Sequence, residues 1–182
     1  MRVLTIALLL AATGIPSFAQ KFGARENLAP YVPTPQYIVE RMLEAGHVTA
    51  DDVVYDLGSG DGRIVITAAQ KFGARAVGVE GMPDLCRQSR LRIQSLGLAD
   101  RAQVVEDNVF HVDLSPATVV TMFFLTSSNE RLKPNLEKYL RPGARVVSNQ
   151  FPIHGWKPVE VVHVKHAATD HSIFVYQIGK TK

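Results

Sequence analysis

The eight residues Asp56-Leu57-Gly58-Ser59-Gly60-Asp61-Gly62-Arg63 restrict this chain more than any other stretch. Three glycines alternate with other residues, directly after an apolar run (residues 53–57) and directly before a helix-like one (residues 63–72). Glycine reaches positive φ without strain and has no side chain to keep a ligand away from the backbone. The segment therefore reads as a sharp strand-to-helix turn built to approach a ligand. Its spacing is Gly-x-Gly-x-Gly rather than the Gly-x-Gly-x-x-Gly of dinucleotide sites, and no Gly-Lys-Ser/Thr follows, which excludes a P-loop. Asp56 stands two residues before the first glycine. A carboxylate there repels a pyrophosphate but accepts a hydrogen bond from a cationic amino-acid ligand. A ligand with an ammonium and a sulfonium fits better than one with phosphates.

The surrounding pattern alternates between strand and helix. Pro33 and Pro35 forbid a helix interior before residue 35. Thr34 is expected to cap a helix whose first residue is Pro35, with Ile38, Val39, Met42 and Leu43 on its buried face. A strand at 53–57 leads to a helix at 63–72 closed by Gly73, a strand at 76–80, and a helix at 84–96 closed by Gly97. A third strand is expected at 102–105. Residues 118–125 form a near-continuous apolar run, as in a strand buried on both faces. A helix at 132–140 ends at Pro142-Gly143, and a strand at 144–150 follows. This order predicts an α/β fold, a mostly parallel sheet with helices on both faces. Residues 159–166 and 172–178 read as a C-terminal antiparallel hairpin, which makes seven strands.

The first twenty residues differ in kind. Arg2 precedes an uncharged apolar run at residues 3–15, Pro16 breaks it, and Ser17-Phe18-Ala19 fits a small-x-small cleavage site. The run is too short to span a bilayer, which takes about 20 residues. The expected organisation is a signal peptide at 1–19, an irregular Pro-rich lead-in at 20–34, and a single domain at 35–182. The protein would be exported; the alternative is an uncleaved anchor that holds it at a membrane. The pentapeptide KFGAR occurs twice with unrelated flanks and is not a repeat. The formal charge of +3 is small and its residues scattered, without the basic stripe and interleaved aromatics of a nucleic-acid binder. Cys86 is the only cysteine, which excludes an intrachain disulfide or a cysteine-based metal site. His163 and His166 point to opposite faces of a strand, so no metal site is expected.

The segment VVYDLGSGDGRIVI resembles motif I of class I S-adenosylmethionine-dependent methyltransferases. The resemblance implies a Rossmann-like methyltransferase sandwich with S-adenosylmethionine as cofactor. Asp56, Gly58, Ser59, Gly60, Asp61 and Gly62 would cradle its methionine part. Glu80 would hold both ribose hydroxyls, Met82 would pack on the adenine face, and Asp107, with Asn108 beside it, would meet the adenine edge. A narrower likeness lies in Tyr31-Val32-Pro33-Thr34-Pro35, DLGSGDGRIVI, Gly78-Val79-Glu80 and Pro142-Gly143-Ala144-Arg145-Val146-Val147-Ser148. These resemble the small protein-lysine methyltransferases acting on mitochondrial ATP synthase and the adenine nucleotide translocase, and more distantly the Dot1-type histone lysine enzymes. That likeness places Tyr31, Val32, Pro33 and Thr34 over the cofactor and implies methyl transfer to a protein lysine. A small-molecule methyltransferase and an exported, non-catalytic binding domain share the same motif and stay open. A nucleotide-dependent dehydrogenase is opposed by the loop spacing.

Methyl transfer is an in-line displacement that asks for alignment more than for a base. Enzymes that methylate base or amide nitrogens often carry Asn/Asp-Pro-Pro-Tyr/Phe at the end of the fourth strand. Here Phe123-Phe124-Leu125-Thr126-Ser127 stands in its place. Thr126 and Ser127 are candidates to orient an amine, with capping of the next turn as their other role. Phe123 and Phe124 belong to the core, one of them lining the channel. Little sequence lies outside the core elements, and an open cleft suits a side chain presented by another protein.

Overall fold

Five strands lie parallel: β1 (Val53–Leu57), β2 (Arg75–Glu80), β3 (Ala102–Glu106), β4 (Val119–Met122) and β5 (Arg145–Asn149). β6 (Glu160–His166) and β7 (Thr169–Gln177) form the antiparallel hairpin, and β7 inserts beside β5. The seven-stranded order is β3-β2-β1-β4-β5-β7-β6. The computed structural model describes residues 31–166 and 169–181. The expected signal segment and residues 20–30 of the lead-in lie outside the described residues.

Strand alternation divides the core into two layers. Val54, Ala76, Val104, Val119 and Val147 face α1 (Gln36–Ala45), α2 (Arg63–Phe72) and α3 (Pro83–Ser95). Tyr55, Leu57, Val77, Val79, Val120, Met122 and Val146 face Leu132, Leu136 and Leu140, in and just after α4 (Thr126–Tyr139). Asp56 shares the face of Val54, and the register sets it between Gly78 of β2 and Thr121 of β4. The chain order reverses between β1 and β4. In open α/β sheets such a reversal opens a crevice at the carboxyl ends of the strands, where ligands bind.

Four boundaries differ from the sequence reading, one of them the start of β7, at Thr169 rather than 172. Pro35, not Thr34, is the N-cap of α1, at φ −54° and ψ 141°. Thr34 is buried, makes no side-chain cap, and gives its C=O to Arg63 Nη1 at 2.6 Å. The apolar run at 118–125 is strand only to Met122, because Met122 pairs with Leu57, the last β1 residue before the glycine turn. Beyond it the chain has no partner on that side, and α4 starts at Thr126 rather than 132 and carries Pro134 inside it. Elsewhere the expected punctuation holds: Gly62 and Gly73 bracket α2 at φ 76° and 71°.

Candidate active site

A cleft of about 1150 Å³ opens at the switch point. Its first half is built from residues 31–34 and from the turns after β1, β2 and β3.

The glycine turn is shaped by hydrogen bonds to its neighbours. Gly58 and Ser59 N–H donate to the Val79 C=O at 2.8 and 3.1 Å, and Gly62 N–H to the Ser59 C=O at 2.9 Å. Gly60 N–H donates to Glu80 Oε2 at 2.8 Å, and Met82 N–H to Glu80 Oε1 at 2.8 Å. A phosphate-binding loop aims such N–H groups at its ligand; here they are spent on the protein. The turn instead offers bare Cα surface beside carboxylates, as the sequence reading required of a site for a cation.

Asp56 is buried and accepts a hydrogen bond from the Thr121 hydroxyl at 2.8 Å. Burial pushes its carboxyl up to about 7, the Thr121 hydrogen bond opposes that rise, and the charges of Glu80 and Asp61 reinforce it. A carboxylate so placed has much to gain from a cationic partner. Glu80 is buried too, and each oxygen keeps a further lone pair beyond its backbone bond. Met82 is half exposed and lines the cleft as N-cap of α3. Asp107 and Asn108 line the same side. Asp107 Oδ1 accepts the Asn108 N–H, and Asn108 Oδ1 accepts the Phe110 N–H, which folds the turn after β3.

Ser59 and Asp61 line the cleft and also make contacts within the protein. Asp61 holds Arg63 in a bidentate pair, Oδ1 to Nε at 2.9 Å and Oδ2 to Nη2 at 2.7 Å, with Arg92 3.6 Å away. Arg63 in turn donates to the Thr34 carbonyl. Asp61 thus fastens the lead-in to the loop as well as lining the cleft. Ser59 packs its side chain against β2: a Cβ on Gly78 would lie 2.5 Å from Ser59 Oγ. Tyr31, Val32, Pro33 and Thr34 do line the cleft, and Tyr31 rests on the turn itself. A Cβ on Gly60 would meet the Tyr31 ring at 2.5 Å, and one on Gly58 the Phe124 ring at 2.8 Å.

The second half of the cleft is aromatic: Phe123, Phe124 and Leu125 after β4 and Phe151 after β5 line it, with Phe110 from the turn after β3. Phe123 and Phe151 face each other, centroids 6.1 Å apart and planes 23° apart. Thr126 and Ser127 are absent from this lining. They occupy the first turn of α4, whose N-cap is Leu125, and no side chain caps that helix. Neither the orienting nor the capping role expected of them is realised, because the strand ends three residues early and turns them away. His163 and His166 are likewise engaged elsewhere, with Ser172 Oγ at 3.2 Å and the Tyr37 ring at 5.7 Å.

Sequence reasoning missed Ser89, Phe110 and Phe151. Ser89 Oγ, fully buried on α3, donates to the Gly60 C=O at 2.7 Å and ties the turn to the next helix. Its signal was only a small polar residue on the buried face of an amphipathic helix.

The family described as ANTKMT methyltransferase domain matches residues 56–160. A protein-lysine N-methyltransferase of Saccharolobus islandicus (strain REY15A) is 53% identical over 154 residues, which is 84% of this chain and 96% of that protein. The Mus musculus adenine nucleotide translocase lysine N-methyltransferase is 36% identical over 133 residues, 73% of this chain but 58% of that longer protein. Among solved structures, an RNA methyltransferase from Salinibacter ruber in complex with S-adenosyl-L-homocysteine is 44% identical, with a TM-score of 0.76. That likeness covers 81% of this chain and 94% of the other.

Proposed function

The chain belongs to the ANTKMT methyltransferase family and is an S-adenosylmethionine-dependent methyltransferase, and from that premise we propose that its acceptor is the side-chain amine of a protein lysine. The observation that carries this reading is the near full-length match, at 53% identity, to a relative named for that acceptor. The fit of the cofactor rests on the chain itself: buried Asp56 beside a loop whose N–H groups are occupied, Glu80 at the end of β2, and an exposed Met82 at the rim.

When bound, S-adenosylmethionine supplies a methyl group on a cationic sulfur. Asp56 would accept from its ammonium, Glu80 from the ribose hydroxyls, and Met82 would cover the adenine face. Transfer to an amine would form one N–C bond and break one C–S bond, so the task of these residues is to hold sulfur, methyl and amine in line. Holding these groups in line supplies roughly 7–11 kcal/mol of the barrier reduction. The aromatic walls exclude water from the acceptor side, which favours the neutral amine over the ammonium. No basic side chain is required at the nitrogen, whose proton leaves to solvent.

The Salinibacter ruber structure is named for RNA, so RNA is the second acceptor class. Against it stands the sequence after β4, Phe123-Phe124-Leu125-Thr126, where enzymes acting on base nitrogens often place Asn/Asp-Pro-Pro-Tyr/Phe. The test is transfer of tritiated methyl groups to a heat-treated cell extract, followed by separation into protein, RNA and small-molecule fractions. Label is expected on protein and, after acid hydrolysis, on methylated lysines, with a rate that climbs with pH toward the free lysine value of about 10.4. Label confined to RNA or to small molecules overturns the reading.

We further propose export through residues 1–19, so that the mature chain begins at Gln20. No helix among the described residues is long and apolar enough to cross a membrane. Terminal sequencing of the exported protein should read Gln20, whereas Met1 retained in a membrane fraction would favour the anchor.

A further inference from the structure

Phe151 follows a backbone position that its residue type does not favour. Gln150 sits at φ 66°, in the left-handed region that L side chains rarely adopt. Such strain persists where the surroundings over-determine it, and it gathers at functional sites. Here the surroundings are specific. Gln150 N–H donates to the Ser172 C=O at 2.7 Å, and Gln150 Nε2 to the Asp170 C=O at 3.0 Å, pinning the turn to β7. On the other side of Phe151, its own C=O accepts from Ser148 Oγ at 2.6 Å and from Asn129 Nδ2 at 3.0 Å. Asn129 Nδ2 also lies 3.4 Å from the Pro152 C=O.

Ser148 and Asn129 are both fully buried, one on β5 and the other on α4. The carbonyl acceptors fix the orientation of the Asn129 amide, and they leave its Oδ1 buried with no hydrogen-bond partner. A buried acceptor without a donor costs stability. A strained residue and an orphaned amide oxygen are therefore both retained where their common effect is to set one ring, half-buried Phe151, opposite Phe123 in the cleft.

Building on the lysine reading above, we propose that the stacked Phe151 and Phe123 form a specificity-determining wall of the acceptor channel, and that Asn129 and Ser148 are positioning residues acting through the Phe151 backbone. At a centroid separation of 6.1 Å the two rings stack on each other, and together they form one apolar wall along which an alkyl chain ending in an amine can lie, without a hydrogen-bond acceptor to keep that amine protonated. The same faces attract the product. A methylated ammonium near an aromatic face is held by the ring quadrupole, more strongly where water is excluded. The amine is therefore retained between turnovers. Each round forms one N–C bond, breaks one C–S bond and releases one proton from nitrogen to water. The channel accordingly favours di- and trimethylated product over monomethylated product.

The experiment uses the full chain, tritiated S-adenosylmethionine and heat-treated cell extract as the protein probe, with methyl-lysines separated after hydrolysis. Phe151→Ala should lower the initial rate at least tenfold and shift product toward monomethyl-lysine, while calorimetric affinity for S-adenosylmethionine stays within twofold. Phe151→Tyr should restore most of the rate and the product ratio. Asn129→Ala and Ser148→Ala should shift the product ratio in the same direction, with a three- to tenfold loss that appears in the apparent KM for the probe more than in kcat. Wild-type rate and product ratio in Phe151→Ala would overturn the channel. Loss of cofactor binding along with methylation in both Asn129→Ala and Ser148→Ala would overturn the positioning role. If the wild-type enzyme puts no label on lysine, the lysine reading falls and takes the channel with it; if it does and the variants match it, only the channel falls.

Discussion

At the scale of single residues, the most informative group is the Asp56 carboxyl. It is buried, pushed up to about 7 chiefly by that burial, and has the Thr121 hydroxyl as its hydrogen-bond donor. The unfolded chain holds Asp56 at its ordinary value of 3.8, so between 3.8 and about 7 the folded state binds the extra proton. Its contribution to stability is therefore greatest at low pH and falls as pH rises through 7, by up to about 4 kcal/mol for a shift of this size. Without cofactor, the wild-type Tm should fall between pH 6 and pH 8, and Asp56→Asn should flatten that slope while weakening S-adenosylmethionine at least tenfold. Thermal scans at both pH values, with calorimetry alongside, check the two effects; an unchanged slope would remove Asp56 from this role. Glu80→Ala should also weaken the cofactor at least tenfold, because it strands the Gly60 and Met82 N–H groups as well as the ribose contact. Glu106→Ala, at an exposed position on the same rim, should change affinity less than twofold by the same calorimetry. Asp56 and the glycines were legible in the sequence because their chemistry is local to one strand-turn-helix, whereas Glu80, at the end of β2, was reached through the family resemblance. Ser89, Asn129 and Phe151 were not, because each acts through a carbonyl brought to it by the fold. Asp61 and Ser59 carry contacts that adjacency in the motif does not reveal: Asp61 holds Arg63, and Ser59 packs against Gly78 of β2.

At the scale of elements, strands and helices with a clean period and glycine or proline at their ends were legible nearly to the residue. α2 is an example, while the C-terminal hairpin was legible in kind but with its second strand read as starting three residues late. The region after β4 was not, because an apolar run cannot reveal where its neighbour stops: β4 ends where β1 runs out of partners. The opposite edge of the sheet shows how elements are tied together away from the site. Asp52, just before β1, accepts from Thr49 N–H at 2.8 Å and from the Thr118 hydroxyl at 2.6 Å, and it pairs with Arg145 of β5. Arg145 Nη1 also donates to the Gly46 and His47 carbonyls beyond α1, at 2.9 Å each. Burial alone would raise the Asp52 carboxyl, but the Thr118 and Thr49 hydrogen bonds and the Arg145 charge together hold it below 3.8. Its stabilising contribution is therefore present above that value and is lost as pH falls below it. Asp52→Ala should destabilise the protein by about 1–3 kcal/mol at neutral pH. It should leave cofactor affinity unchanged, since the cleft lies at the other end of the strands. A denaturant titration and calorimetry on one preparation separate the two readouts, and a matching loss of affinity would mean that the two ends of the sheet are coupled.

At the scale of the whole molecule, the switch point divides the cleft into a half with acids, assembled from residues 31–34 and the turns after β1, β2 and β3, and an aromatic half assembled from the segments after β4 and β5 with Phe110 from the turn after β3. The acidic half is held by long-range contacts that converge on the glycine turn: Arg63 on the Thr34 carbonyl, Ser89 on the Gly60 carbonyl, Glu80 on the Gly60 N–H. A ligand that binds there contacts segments remote in sequence at once and is present only in the folded state, so it must stabilise the whole domain. At a hundredfold excess over its Kd the gain is about 2.7 kcal/mol, roughly a 5–11 °C rise in Tm for a domain of this size. Both S-adenosylmethionine and S-adenosylhomocysteine should produce it. The homocysteine form should give the smaller rise at equal concentration, since it lacks the sulfonium charge that the acidic lining favours. NAD should produce none, because its pyrophosphate would meet Asp56 and Glu80 where it needs free N–H groups. Amide exchange followed along the chain should slow most at Tyr31 and Val32, which form the exposed edge of the cleft and have the least protection to begin with. Stabilisation by NAD equal to that by S-adenosylmethionine would show that the loop's occupied N–H groups do not decide which ligand enters.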